Sequence, residues 1–551
     1  MSDTMKAVIE SLENKKSFIL EAGAGSGKTS TLVRSLKYLI SNRQIKYARD
    51  SKQIVCITYT NVAKDEIAER IEYHDLVHIS TIHDFLWDAI SPFQSVLSGE
   101  VLWLNGTLKK ERQTENLAQI LSGVPITYSQ YGRKLEKGRI THDDVLSLAK
   151  RMFLQYPKIT RLVTSKYPVV FVDEYQDTSE STVSILLDSL VENGSPDFMV
   201  GFFGDKMQNI YESGVGEITD PRLKTITKTE NFRCPTEVIE VLNRLRNDFA
   251  QVPGLEDHPK GTREFIIDGS QGSPVETYDK TIQYLSNQKG WDFDSNETKI
   301  LMLTHRYIAG KAGYQNLLAA FDKLPFGRDD LFSLEQPLAD LFVNKIEALV
   351  DAFEAKDYSS LIRLLGLEGF RLQSHSTKEV INKRINDLIS MRSNNSAVKE
   401  IIDYCRSQKL IGRSQKIKDF EQSLSEFDAD ERKIKFYDSL MSVDYREVIE
   451  FKRYFDGDKP YSTKHGVKGQ EYDNVLVVID DTAWKQRFNF RELFEGNQRL
   501  PKRFKMNQNM FYMCCSRAKK NLAILMLTEM NERGFDTVAE WFEPKNITYL
   551  E

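Results

Sequence analysis

The sequence predicts an α/β protein built on parallel sheets and divided into more than one domain. Short apolar runs bounded by charged or turn residues read as strands buried on both faces, the pattern of a parallel sheet. Segments with apolar residues at helical spacing separate them, as parallel crossovers require. The chain of 551 residues, at about 150 residues per domain, has room for three or four domains.

Taken in order, Met5, Val8, Ile9 and Leu12 lie on one face of a first helix. The strand Phe18-Ile19-Leu20 follows and runs into a glycine-rich loop, after which Leu32, Leu36 and Leu39 mark a second helix. Further strands are expected at Ile54 to Ile57, Val169 to Val172, Phe198 to Phe203, Ile300 to Leu303, Val475 to Ile479 and Leu522 to Leu527. Two helix-rich, charged stretches interrupt the series, from about Asp84 to Ser165 and from about Leu324 to Asp456. In the second, Phe342, Ile346, Leu349, Val350 and Phe353 form a stripe that reads as core packing. Pro253 to Gly272 reads as a flexible loop from its proline and glycine content.

Lys plus Arg number 75 against 80 Asp plus Glu, a formal net charge of -5, with 40% hydrophobic and 28% charged residues. This is the composition of a soluble globular protein, and its acidic balance restricts any nucleic-acid contact to a local surface. No apolar run approaches the roughly 18 residues that span a bilayer, so neither a membrane span nor a secretory signal is expected. The five cysteines form no CxxC pair, which argues against a disulfide framework, a zinc ribbon or an iron-sulfur cluster and for a reducing cytoplasm.

Residues 22 to 29 read AGAGSGKT, the phosphate-loop pattern with Ala22 in place of its first glycine. Small residues let backbone N–H groups curl around phosphates, and the following helix adds a positive end. Ala22, Gly23, Ala24, Gly25, Ser26, Gly27, Lys28, Thr29 and the adjoining Ser30 are the expected nucleotide contacts, with Lys28 neutralising phosphate oxygens and Thr29 a magnesium ligand. The strand at 169 to 172 delivers Asp173 and Glu174 to its C-terminal end, where ligands of open α/β sheets bind. Asp173 is the metal-side carboxylate and Glu174 the general base, a role that contributes about 10²- to 10⁴-fold in rate.

With these two motifs in place, the chain resembles the UvrD, Rep and PcrA branch of superfamily 1 DNA helicases. The resemblance rests on an ordered series: TYTNVAKDEI at 58 to 67, STIHDF at 80 to 85, VDEYQDT at 172 to 178, GDKMQNIY at 204 to 211, ENFRCP at 230 to 235, LTHR at 303 to 306, TKHGVKGQEYDNV at 463 to 475 and FYMCCSRAKKNL at 511 to 522. It implies two RecA-like P-loop domains, each interrupted by a helical insertion, with ATP and Mg²⁺ bound in a cleft. The first core would comprise 1–84 and 166–229 with insertion 85–165, the second 230–323 and 457–551 with insertion 324–456. It further implies that Gln208 senses the γ-phosphate, that Arg233 and Arg517 act as arginine fingers, that Phe232 stacks on the base and that Glu471 contacts the ribose side. Single-stranded DNA would lie on Tyr59, Thr60, Asn61 and Tyr211, with Thr81, His83 and His465 as further contacts, and movement would run 3′ to 5′.

The chain departs from that pattern at three places. Thr4 stands where relatives carry an adenine-reading glutamine, Ser30 follows the loop threonine in place of an arginine, and Glu212-Ser213-Gly214 replaces a second aromatic and its successors. The compact insertions and short tail resemble helicase subunits of anti-phage systems that act beside a separate, OLD-family-like nuclease, and they leave no room for a fused nuclease. Two readings stay open: an ATP-dependent translocase on single-stranded DNA and tailed duplex, and a DNA-stimulated regulatory ATPase that controls a partner nuclease without processive unwinding.

Overall fold

The computed structural model describes residues 2–58, 61–110, 113–129, 133–210, 214–268, 274–302, 305–325, 327–332, 334, 336–367, 375–424, 430–456, 461–462, 470–481 and 488–550. Its contacts divide the chain into two compact units. The first takes Met1–Arg263, Phe488–Leu522 and Met530–Lys545, and the second takes Glu264–Arg487, Ala523–Glu529 and Asn546–Glu551.

The first unit is built on six strands: β1 (Phe18–Ala22), β2 (Ile54–Ile57), β3 (Val77–Ser80), β4 (Val169–Asp173), β5 (Met199–Gly204) and β6 (Lys224–Lys228). They lie in the order β3-β2-β4-β5-β1-β6, and every neighbouring pair is parallel. Alternate residues serve two cores, because successive side chains of a strand point to opposite faces. Phe18, Ile54, Val169 and Phe171 join one core with helices α1 (Asp3–Glu13) and α2 (Lys28–Arg49). Ile19, Val55, Val170 and Val172 join another with α3 (Ile82–Ile90) and α4 (His142–Gln155). The first helical stretch therefore packs on the sheet and shares its core. Gly201 lies opposite both Phe18 and Phe171, and a Cβ there would stand 2.7 Å from the Phe18 ring.

The first unit also contains α5 (Thr236–Leu245) and α6 (Pro501–Cys515). This differs from the division read off the sequence, which gave 230–323 and 457–551 to the second core. Polar contacts join these helices to the first unit: Gln508 donates to the Leu245 carbonyl at 2.6 Å, and Asn509 donates to the carbonyls of Lys206 and Asn209 at 3.3 and 2.9 Å.

The second unit centres on another sheet: β7 (Thr262–Asp268), β8 (Thr298–Met302), β9 (Tyr461–Ser462), β10 (Tyr472–Ile479), β11 (Ala518–Met526) and β12 (Ile547–Leu550), in the order β9-β8-β10-β11-β7-β12. Of the loop expected at Pro253 to Gly272, residues 254–261 carry neither helix nor strand and 269–272 lie outside the described residues, but β7 replaces the part between them. Its Phe265-Ile266-Ile267 run pairs in parallel with Ile547, Thr548 and Tyr549, and that buried ladder outweighs the flanking prolines and glycines. The apolar stripe of the second helical stretch is core, as expected: Phe342, Ile346, Leu349 and Val350 are buried, and Phe353 packs against them. Within that core Glu347 takes a hydrogen bond from Arg392 at 2.6 Å on one oxygen and from the Tyr445 hydroxyl at 2.9 Å on the other. Among the described residues no helix is long and apolar enough to cross a membrane.

Candidate nucleotide site

The strand order fixes where the chemistry gathers. β4, β5 and β1 are neighbours and parallel, so their C-terminal ends bring Asp173 and Glu174, then Asp205, then the phosphate loop to one edge of the sheet. The loop passes from β1 to α2 through Gly25 and Gly27, both at φ +74°, a conformation glycine takes without the steric cost of a Cβ. Gly27 is the residue before the first turn of α2. The loop's N–H groups and the helix start thus form an anion cradle.

Lys28 is buried and pairs with Glu174 at 2.8 Å. Burial pushes its ammonium pKa down, but the carboxylates of Glu174 and Asp173 outweigh that and hold it above the ordinary lysine value. Glu174 sits at φ +51°, a left-handed conformation that costs a non-glycine residue about 1–2 kcal/mol. The turn reverses its side chain from the strand direction toward Lys28. The Gln176 amide donates to Glu174, and its oxygen accepts the Asp205 N–H at 3.2 Å.

Thr29 is half-buried and Asp173 is buried, and both offer the hard oxygen donors that magnesium takes. The Ser26 hydroxyl is buried without a hydrogen-bond partner. A lone polar atom of that kind is costly to bury and is satisfied by a ligand oxygen at the cradle. The residues therefore fit a magnesium-bound phosphate group, which needs anion donors beside a carboxylate and a hydroxyl.

Gln208 and Arg517 meet. The Arg517 guanidinium donates to the Gln208 side-chain oxygen at 3.1 Å, and Gln208 donates to Asp205 at 3.1 Å. Arg517 is fully buried, and burial followed by the charge of Arg233 lowers its pKa to about 10, so it remains a cation at neutral pH. Arg233 donates to the Ser516 carbonyl at 3.3 Å, and its Cβ lies 2.8 Å from where a Cβ on Gly25 would stand. Phe232 is 45% exposed, with the Lys228 ammonium 5.5 Å from its ring centre, so it is a surface aromatic and not core. Ala22, Gly23 and Ala24 are buried, and Ser30 is half-buried in the first turn of α2. Glu471 is exposed and belongs to the second unit.

Of the expected DNA contacts, Tyr59, Thr60, Tyr211 and His465 lie outside the described residues, and Asn61 opens the helix Asn61–Arg70. Thr81 caps α3: its hydroxyl accepts the Asp84 N–H at 3.3 Å and donates to the Asp84 carboxylate at 2.9 Å. The His83 ring lies 4.1 Å from that of His142. Burial, then the neighbouring His142, lowers its pKa to about 4, so His83 is neutral at pH 7 and offers no cation to a phosphate.

Besides Gln176 and Asp205, four site residues escaped the sequence reading. Asn231 donates to the Ala24 carbonyl at 2.9 Å, and Gln251 donates to the same oxygen at 2.9 Å. Tyr512 accepts the Ala24 N–H at 3.1 Å, and Arg246 donates to Tyr512 at 2.9 Å. Asn231 and Tyr512 lie inside the ENFRCP and FYMCCSRAKKNL strings, which could have flagged them; Arg246 and Gln251 carry no local pattern.

A phosphate cradle at a parallel-sheet edge, a lysine, paired acids and converging arginines define a P-loop nucleotide-binding protein. Residues 4–214 match a family model described as an AAA domain. The chain is 26% identical to Gabija protein GajB of Bacillus cereus (strain HuB5-5) across 96% of both chains. It is 25% identical to the ATP-dependent DNA helicase PcrA of Bacillus subtilis (strain 168), over 41% of this chain and 37% of that protein. A PcrA of Staphylococcus aureus (strain Mu50 / ATCC 700699) gives 24% over 43% of this chain and 38% of its own length. The chain is thus similar to GajB along nearly its whole length and to PcrA helicases over about two fifths of it.

Proposed function

We propose that this protein hydrolyses ATP to move along single-stranded DNA in the 3′ to 5′ direction, separating a duplex that carries a single-stranded tail. The observation that carries the reading is the buried contact of Arg517 with Gln208, in the same connected site as Lys28 and Glu174. Lys28 and the loop amides bind the phosphates, and Thr29 and Asp173 hold Mg²⁺, which when bound neutralises charge between the terminal phosphates. Glu174 takes the proton of the attacking water. Gln208 reads the third phosphate, and Arg517 and Arg233 stabilise charge on it. Phe232 stacks on the base and Glu471 approaches the ribose. Tyr59, Thr60, Asn61 and Tyr211, with Thr81, His83 and His465, form the strand track. Residues 85–165 and 324–456 act as the helical insertions of two core domains.

The likeness to GajB supports a place in anti-phage defence, with a separate nuclease subunit as partner. A strand-displacement assay with 3′-tailed and 5′-tailed duplexes tests the reading: release of the 3′-tailed strand alone, and only with ATP and Mg²⁺, is expected. ATP hydrolysis stimulated by DNA but without release from either substrate would favour the second reading, a regulatory ATPase. The replacement of an aromatic by Glu212 after Tyr211 supports that alternative, since each lost stacking partner weakens the grip on DNA by about 1–3 kcal/mol.

A further inference from the structure

The Tyr512 hydroxyl is fully buried and touches four groups. It accepts the Ala24 N–H at 3.1 Å and the Arg246 guanidinium at 2.9 Å, and it faces two acceptors, Asp205 Oδ2 and Gln251 Oε1, each at 3.2 Å. A phenol has one proton and two lone pairs. Both lone pairs are engaged, so the proton serves one of the two acceptors at a time.

The two acceptors belong to different parts of the site. Gln251 donates its amide to the Ala24 carbonyl at 2.9 Å, so it belongs to the phosphate loop. Asp205 Oδ2 is also the atom that receives the Gln208 amide at 3.1 Å, and Gln208 in turn receives Arg517. Gly23 fits beneath this junction: a Cβ there would stand 2.2 Å from the Gln251 amide nitrogen and 2.9 Å from Arg246.

We propose that Tyr512 is a positioning residue that ties the phosphate loop to the third-phosphate sensor through its single proton. With the proton toward Asp205, that carboxylate is pinned and holds the Gln208 amide in place. With the proton toward Gln251, Asp205 Oδ2 loses the Tyr512 bond, although Oδ1 still accepts the Met207 N–H at 3.1 Å with Arg246 at 3.6 Å, and the sensor loosens while the loop stays clamped by Asn231 and Gln251. The inference rests on the ATPase reading above and deepens it by assigning the means of distinguishing ATP from ADP.

The test is the ratio of affinities for a non-hydrolysable β,γ-imido analogue of ATP and for ADP, measured by calorimetry with Mg²⁺ on the full chain. Tyr512→Phe keeps the ring and removes the hydroxyl. Because the hydroxyl also accepts the loop's Ala24 N–H and Arg246, both affinities are expected to fall, that for the analogue about three- to tenfold further than that for ADP, the share of the lost bond to Asp205. Gln251→Leu is expected to weaken both nucleotides alike, because it loosens the loop and not the sensor. Equal weakening of both nucleotides in Tyr512→Phe, or no change in either, would overturn the inference while leaving the ATPase reading intact. A parent protein that binds neither nucleotide would overturn both. If thermal melting shows that Tyr512→Phe is unfolded, Asp205→Ala removes the acceptor at the other end of the same joint and the same ratio decides.

Discussion

Two buried polar networks, one in each unit, show how differently ionic groups can be used inside a protein. In the second unit, Glu347 divides its oxygens between Arg392 and Tyr445, inside a helical core. In the first unit, Asp205, Gln208, Arg246, Tyr512 and Arg517 share atoms: one Asp205 oxygen serves two donors, and one hydroxyl faces four neighbours. The Glu347 group joins segments distant in sequence and faces only the core. The Asp205 group reaches a loop whose Ser26 hydroxyl still lacks a partner. Shared atoms couple the groups of a network, so a change at one is felt by the others, whereas the two Glu347 contacts use separate oxygens.

Breaking each network should therefore fail in a different way. The largest effect is expected from Arg517→Ala, which removes the proposed arginine finger: kcat for ATP should fall about 10³- to 10⁵-fold, measured by phosphate release. Glu174→Gln should lower kcat about 10²- to 10⁴-fold while nucleotide still binds, since the loop and Asp173 are untouched; equilibrium binding separates the two. Arg392→Met is expected to do the reverse. Stranding the buried Glu347 should cost about 3–5 kcal/mol of stability in urea unfolding, while kcat of the folded fraction stays at the parent value.

The smallest effect concerns Glu21, at the foot of the phosphate loop. Burial raises its pKa to about 7, even though the Tyr175 hydroxyl bonds its carboxylate. The folded protein then binds more protons than the unfolded chain between about pH 4.5 and 7, so this group's contribution to stability falls as pH rises through that window. Glu21→Gln should melt above the parent at pH 8 and close to it at pH 4.5, by thermal melts across pH.

The sequence exposed the parts whose chemistry is contiguous. AGAGSGKT and the acids after β4 announce themselves because neighbouring residues do the work together. Strands buried on both faces were equally plain, as with Ile54–Ile57. The edge strands β3, β6, β9 and β12 escaped, because an edge has a ladder on one side only and tolerates residues such as Lys224 and Lys228. β7 reads as a loop in the sequence because proline and glycine flank it. Arg246 and Gln251 were invisible for another reason: each matters through a contact more than 200 residues away in the chain, and nothing local encodes that.

The side-by-side placement of β4, β5 and β1 makes the sheet a ruler. Adjacent strands are spaced about 4.8 Å apart, so the metal-side acid, the carrier of the sensor and the anion cradle are graduated by hydrogen-bond pitch and not by loop length. One residue inserted into any of these strands would advance its cargo by about 3.3 Å and turn it to the opposite side. Insertions and deletions should accordingly be intolerable in these three strands.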